Sequence, residues 1–197
     1  QIGFFIHYPV KPIDRTSIVD VIFEDVNNDG AIDGLDRVMN EKTNLPRLIY
    51  GATFTLGYKG FDVAVLFQGA TGSQQYINPE SGEIGNYYEK MAVNRWTPEN
   101  TSSTFARTWN RDEEYWRSQG NTYWLYNMNY IRLKNFELGY TLPAGINKAL
   151  GMEGVRFYVN GINLLTLSKQ KYIDPEVEQG TSYPLQRIVT GGITLTF

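Results

Sequence analysis

A chain of 197 residues is long enough for one ordinary domain with a sizeable core. A net charge of −3 gives no electrostatic footprint for a nucleic-acid partner, and the absence of cysteine removes both a disulfide framework and thiol chemistry. No run approaches the ~18 apolar residues of a membrane helix, but barrel strands need only about 9–11 alternating residues, so a strand-built membrane protein stays open.

The chain begins at Gln1 with neither Met nor a signal peptide, as expected of a piece of a longer protein. "QIGFFIHY" (1–8) and "IVDVIFE" (18–24) read as strands, with Pro9 and Pro12 breaking the run between them. The sole histidine, His7, sits in an apolar stretch, which leaves no Ser-His-Asp or histidine-metal constellation.

"DVNNDGAIDGLD" (25–36) follows the D-x-[DN]-x-[DN]-G pattern of calcium loops. Asp25, Asn27 and Asp29 offer side-chain oxygens, Gly30 takes the sharp turn, Ala31 offers its carbonyl, and Asp33 and Asp36 complete the set. Asp36 stands where the pattern has Glu, one methylene shorter, and the flanks are β-like where a calcium sensor has helices. The expectation is a structural Ca²⁺ that fastens an extracellular loop. The competing reading is a turn whose Asp and Asn side chains cap their own backbone without any ion.

The clearest strand signal is "LIYGATFTLGYKGFDVAVLFQG" (48–69). Leu48, Tyr50, Ala52, Phe54, Leu56 and Tyr58 alternate with Ile49, Gly51, Thr53, Thr55 and Gly57. Lys59-Gly60 makes a two-residue hairpin turn. That turn pairs residue 58 with 61, 56 with 63, 54 with 65 and 52 with 67, so one face is wholly apolar and the other small or mainly polar.

Residues 70–125 form a long connection carrying Tyr87, Tyr88, Trp96, Trp109, Tyr115, Trp116, Tyr123 and Trp124. Aromatics there pack the loop on itself, sit at a membrane boundary, or meet a lid or substrate. Trp96, Trp109, Trp116 and Trp124 are the candidate contact residues. The adjacent acids 112–114 ("DEE") read as a solvated face and not as a glycosidase pair.

Strand 126–142 includes "NFELGYTLP", which alternates well, but Ile131 and Leu133 fall on the wrong parity, which calls for a bulge or a packed loop. A moderate turn at 143–154 leads to strand 155–166 ("VRFYVNG"), then a long connection at 167–185 and a last strand, "IVTGGITLTF", ending on Phe197.

Alternation alone fits a soluble β-sandwich as well as a barrel. Three features favour the barrel. Strand 48–58 is long, the non-apolar face is rich in Gly and Thr, and connections alternate between short and long, as periplasmic turns and extracellular loops do. With Lys59-Gly60 in the periplasm, every later strand takes its direction without contradiction and Phe197 ends there. A terminal Phe on an alternating strand has the shape of a barrel assembly signal.

Six segments in order, "DVNNDGAIDGLDR" (25–37), "YGATFTLGYKGFDVAVLFQGATG" (50–72), "NRWTPEN" (94–100), "YIRLKNFELGYTLP" (130–143), "VRFYVNGINLLTLSKQKYIDPEV" (155–177) and "YPLQRIVTGGITLTF" (183–197), resemble the C-terminal end of the SusC/RagA family. These are TonB-dependent outer-membrane transporters of Bacteroidetes. The resemblance implies an all-β, antiparallel up-and-down segment of a 22-stranded barrel around an N-terminal plug. It implies import of glycans or peptides (oligosaccharide or peptide substrate) in the outer membrane of a Gram-negative bacterium. Its implied partners are outer-membrane lipid, a SusD-like lipoprotein acting as lid, and the TonB–ExbB–ExbD complex acting through parts absent from this chain. No bond chemistry is implied.

On this reading residues 1–47 form a strand-and-loop region containing the calcium-type loop, and 48–197 carry the barrel strands and long loops. About five strands cannot close such a barrel and leave open edges. The alternative is a soluble β-rich, calcium-stabilised carbohydrate-binding or adhesin-like module.

Overall fold

A two-residue hairpin turn of type I′, whose twist matches that of the strands it joins, needs positive φ at both of its residues. Lys59 and Gly60 supply it, at φ 47° and 87°. Gly60 is needed there for space as well, because a Cβ would stand 2.7 Å from the Thr141 carbonyl oxygen. The computed structural model in which this turn is seen describes residues 6–7, 9, 22–77, 89–101, 105–107, 120–171, 173–177, 183 and 185–197. In chain order its strands are β1 (Ile6–His7), β2 (Val38–Met39), β3 (Leu48–Tyr58), β4 (Phe61–Thr71), β5 (Gln74–Tyr76), β6 (Leu125–Asn127), β7 (Tyr130–Thr141), β8 (Gly154–Ser168) and β9 (Ile188–Thr196). Helix α1 spans Glu89–Val93 and α2 spans Ala144–Ala149.

The chain divides into two compact units. One comprises Gln1–Leu45, Gly72–Asn127 and Val177–Ser182; the other comprises Pro46–Thr71, Met128–Glu176 and Tyr183–Phe197. Most of the long 70–125 connection groups with the N-terminal region and not with the strands.

The first unit holds two small antiparallel sheets, β1–β2 and β5–β6. Its buried apolar residues are Ile77, Phe105, Ala106 and Trp124. The Ile77 N–H donates to the Trp124 carbonyl (2.9 Å), continuing the β5–β6 ladder by one rung. Of the predicted strand 18–24, only residues 22–24 lie within the described residues, and of 1–8 only Ile6 and His7 do, as the strand β1.

The second unit is one antiparallel sheet in the order β3-β4-β7-β8-β9, an up-and-down meander. The β3–β4 register is the one the hairpin turn dictates, from Tyr58↔Phe61 to Leu48↔Thr71. Between β7 and β8, Pro143 opens α2 and Gly151 at φ 70° ends the turn, so the expected plain connection contains a short helix.

The off-parity residues of β7 are explained by a bulge. Leu66 of β4 faces Asn135, but Phe67 faces Leu133, so Lys134 is an extra residue. On the other side, β8 sets two residues, Asn163 and Leu164, between the partners of Asn135 and Leu133. Asn163 takes φ 55°, a conformation Asn tolerates, and its side-chain amide donates to the Gln186 carbonyl (3.1 Å). The insertion returns Ile131 and Leu133 to the face of Phe136, Leu138 and Tyr140, and puts Arg132 with Asn135 and Glu137.

The sheet has no sandwich-type core. Phe54 is 62% exposed and Leu138 40%, and Leu56, Phe157, Val159, Leu165, Val189 and Ile193 are exposed on the same face. A contiguous bare apolar face of this extent marks a surface meant for another apolar medium or partner.

Deleting Lys134 should remove the bulge and leave β7 alternating plainly, with Ile131 and Leu133 still on the apolar face and Arg132 on the polar one. Lys134→Ala keeps the register. Refolding yield of the full-length protein should stay near wild type for both variants, and a collapse confined to the deletion would show that the bulge itself is required.

Candidate functional site

The candidate ion loop is built from turns. Asp25 accepts from the backbone N–H groups of Asp29 (3.2 Å) and Gly30 (2.9 Å), Asn27 from Asp29 (3.0 Å), and Asp29 from Ala31 (2.9 Å). The Asn27 amide also donates to Asp29 (2.8 Å). Asp33 caps the short 3-10 turn Gly34–Asp36 through the Leu35 N–H (2.8 Å).

Asp36 points back into the loop. It is buried and accepts from Asp33 N–H and Val26 N–H, both at 2.8 Å. The Asp33 N–H, against an opposing effect of burial and helped by the Val26 and Asn27 N–H groups, holds its carboxyl below the ordinary carboxylate range. Among the described residues, no three acidic or histidine side chains converge as ion ligands. Asp25, Asn27, Asp29, Ala31, Asp33 and Asp36 are thus brought into one loop, in the self-capped arrangement.

Two of the four candidate tryptophans, Trp109 and Trp116, lie outside the described residues. Trp124 is 4% exposed, edge-on to Tyr123 at 4.7 Å. Its burial leaves it packing its own unit, with no open face for a ligand. Trp96 is half-buried, and its backbone N–H donates to the Phe105 carbonyl (3.0 Å). The "NRWTPEN" segment around it is a tight turn. Thr97 and Asn100 exchange backbone hydrogen bonds, and the Asn100 amide donates to the Arg95 carbonyl (3.2 Å). Phe197 is exposed just beyond β9.

The polar face of the five-stranded sheet holds what the sequence reading missed. Arg156 of β8 reaches across β7 to Asp62 of β4, donating from Nε (3.1 Å) and Nη2 (2.5 Å), and also meets Glu137 (2.6 Å). The crossing is possible because Gly139 lies beneath it. A Cβ there would collide with the Arg156 guanidinium and stand 2.6 Å from both Asp62 carboxylate oxygens. Parity was the available signal, since Asp62, Glu137, Gly139 and Arg156 all fall on the non-apolar face of their strands.

A second cluster lies further along the same face. Arg132 donates from Nη2 to Asp174 (2.6 Å) and pairs through Nη1 with Glu176 (3.0 Å). Lys134 Nζ and the Tyr130 hydroxyl also bond Glu176, at 3.1 and 2.8 Å. Between the two clusters runs an open trough of about 400 Å³, with Thr53, Leu66, Asn135, Glu137, Asn160 and Ile162 in its lining. What the arrangement offers chemically is a wettable wall of hydroxyl, amide and paired charge, backed by an apolar outer surface.

No protein-family model matches the chain. It is 34% identical to TonB-dependent receptor P26 and 30% identical to TonB-dependent receptor P3, both of Formosa agariphila, over 89% of this chain and 19% of each of those proteins. It is 25% identical to TonB-dependent receptor SusC of Bacteroides thetaiotaomicron, over 95% of this chain and 18% of that one. Structures of the RagAB peptide importer in its open-open state and of the RagAB peptide transporter share the fold over 98% of this chain and 22% of theirs. The TM-score is 0.71 for both, with 24% and 23% identity. The chain is therefore similar to a segment of SusC/RagA-type TonB-dependent transporters, and it spans about a fifth of the length of the relatives it matches.

Gly139→Ala should displace the Arg156 side chain from Asp62 and lower stability by about 1–3 kcal/mol, the range for a side chain forced into filled space. Denaturant midpoints of the full-length protein, compared with Gly145→Ala, whose Cβ meets nothing within 4 Å, measure the difference.

Proposed function

We propose that this chain is C-terminal wall of a 22-stranded outer-membrane barrel belonging to a TonB-dependent, SusC-like importer of glycans or peptides. The observation that carries the reading is the two-faced sheet, with most of its large apolar side chains bare on one side and its paired charges, amides and most of its threonines on the other. A β-barrel in lipid needs that division. The similarity to TonB-dependent receptors over 89% of the chain supports it independently.

In this reading Phe54, Leu138 and Ile193 face lipid, and Thr53, Asn135, Asn160 and Thr194 face the lumen. Lys59-Gly60 and the 143–154 turn lie in the periplasm, and the connections 70–125 and 167–185 lie outside the cell. Phe197 serves assembly. A SusD-like lipoprotein lids the barrel, and TonB–ExbB–ExbD drives it through other parts of the protein. The chain contributes wall, loops and electrostatic lining, and no bond chemistry. Cargo class is read from a ligand screen against the purified importer–lipoprotein pair, with oligosaccharides and peptides as its two arms.

The full-length protein should partition with outer membranes and stay in solution only with detergent. A monomer soluble without detergent overturns the importer in favour of a soluble β-rich module. Leu138→Arg should cost about 2–4 kcal/mol of stability in lipid vesicles if the residue lies near mid-membrane, while Thr53→Arg leaves it nearly unchanged. Equal effects of the two remove the assignment of faces.

The 25–36 loop is proposed to take one structural Ca²⁺. The support is its ligand spacing and the second lone pair that remains on each engaged oxygen. Binding requires the Asp25, Asp29 and Asp36 carboxylates to turn toward a common point. Calorimetry should show calcium heat for the full-length protein that is lost in Asp25→Ala and Asp29→Ala. The same heat in all three removes the ion.

A further inference from the structure

Asp174 and Glu176 belong to the long connection between β8 and β9, yet both carboxylates end on the polar face of β7. The local sequence prepares them for this. The Glu176 N–H donates to Asp174 Oδ1 (3.0 Å), an Asx-type turn around Pro175 that fixes the acidic pair as a unit. Their partners Arg132 and Lys134 supply two positive charges against two negative ones, and the Tyr130 hydroxyl adds a donor.

Arg132 is 1% exposed, so the contact is desolvated and not a surface salt bridge. The desolvation is incomplete in its compensation. Arg132 Nε is buried without a hydrogen-bond partner, while both terminal nitrogens are engaged. A buried donor left unmet is a cost that water removes as soon as the contact opens. The closed arrangement is therefore held by charge and at the same time costs one unmet hydrogen bond.

We infer that residues 173–176 are a charge-latched strap, folded onto the polar face of β7 and released as a unit when its carboxylates leave Arg132 and Lys134. Closed, the strap covers the Tyr130–Lys134 end of that face; open, it exposes two cations and a tyrosine hydroxyl there. The inference holds whether or not the sheet belongs to an importer.

Hydrogen–deuterium exchange on the full-length protein, in detergent if it needs it, tests the strap. In the Asp174→Asn/Glu176→Gln double variant, peptides covering 173–177 should exchange at least about tenfold faster than in wild type, with the β3–β4 hairpin unchanged. Glu176→Gln alone should move the same peptides in the same direction, and it decides the matter if the double variant does not fold. Arg132→Lys, which keeps the charge but offers no two-headed contact, should also loosen them. Unchanged strap exchange in the folded variants overturns the latch. So does an equal rise in the hairpin, which would make the network a general stabiliser. Neither result touches the partitioning test of the importer reading.

Discussion

One constraint governs the second unit: across five strands, most of the large apolar side chains must end on the same face. Side chains alternate along a strand with a period of two, so a slip of one residue in any strand would reverse its faces. The hairpin sets the pattern with the pairs Phe54↔Val65 and Leu56↔Val63. β7 continues it with Phe136 and Leu138, β8 with Phe157 and Val159, and β9 with Ile193 and Val189. Each strand is joined to its neighbour by cross-strand pairs worth about 0.2–1 kcal/mol apiece, so the register is the sum of many small preferences in agreement.

The opposite face is organised by glycine. Gly139 makes room for the Arg156–Asp62 pair, which thereby ties β4 to β8 across the strand between them. Gly192 lies under the Tyr158 ring, where any Cβ would collide with the ring and its hydroxyl. On the apolar face Gly69 plays the same part for Tyr50, whose hydroxyl reaches the Tyr130 carbonyl (3.2 Å). Glycine in a strand interior weakens the strand by itself. Here each one lets a long neighbour lie flat over it and restore the lost contact, so the glycines of the strands serve as seats for Tyr and Arg.

The sequence exposed what was local. The β3–β4 register was readable to the residue because a two-residue turn leaves no freedom. The parity break at Ile131 and Leu133 was readable as a break, and the bulge at Lys134 resolved it. The Arg156–Asp62 and Arg132–Asp174 pairs were not readable. Their partners are brought together by registers set across long connections, and no local rule fixes those. The 25–36 loop shows a different limit. The same Asp and Asn spacing serves an ion or a set of backbone N–H groups, because both want inward-facing oxygens at a tight turn. Trp124, which the sequence left between packing its own connection and meeting a lid or substrate, is buried beside a turn capped by Asn121.

The bulge also links the two faces of the sheet. Bulges redirect side chains as well as correct register. Were Lys134 a regular rung and not a bulge, strict alternation would send Arg132 to the face of Leu138, away from Asp174 and Glu176. With the bulge, Arg132 and Tyr130 arrive on the polar face, and Lys134 itself, the inserted residue, bonds Glu176 at 3.1 Å. The same insertion that keeps Ile131 and Leu133 on the apolar side therefore assembles the cationic seat for Asp174 and Glu176. A strand built only to alternate would have supplied the wall and no means of holding the neighbouring connection against it.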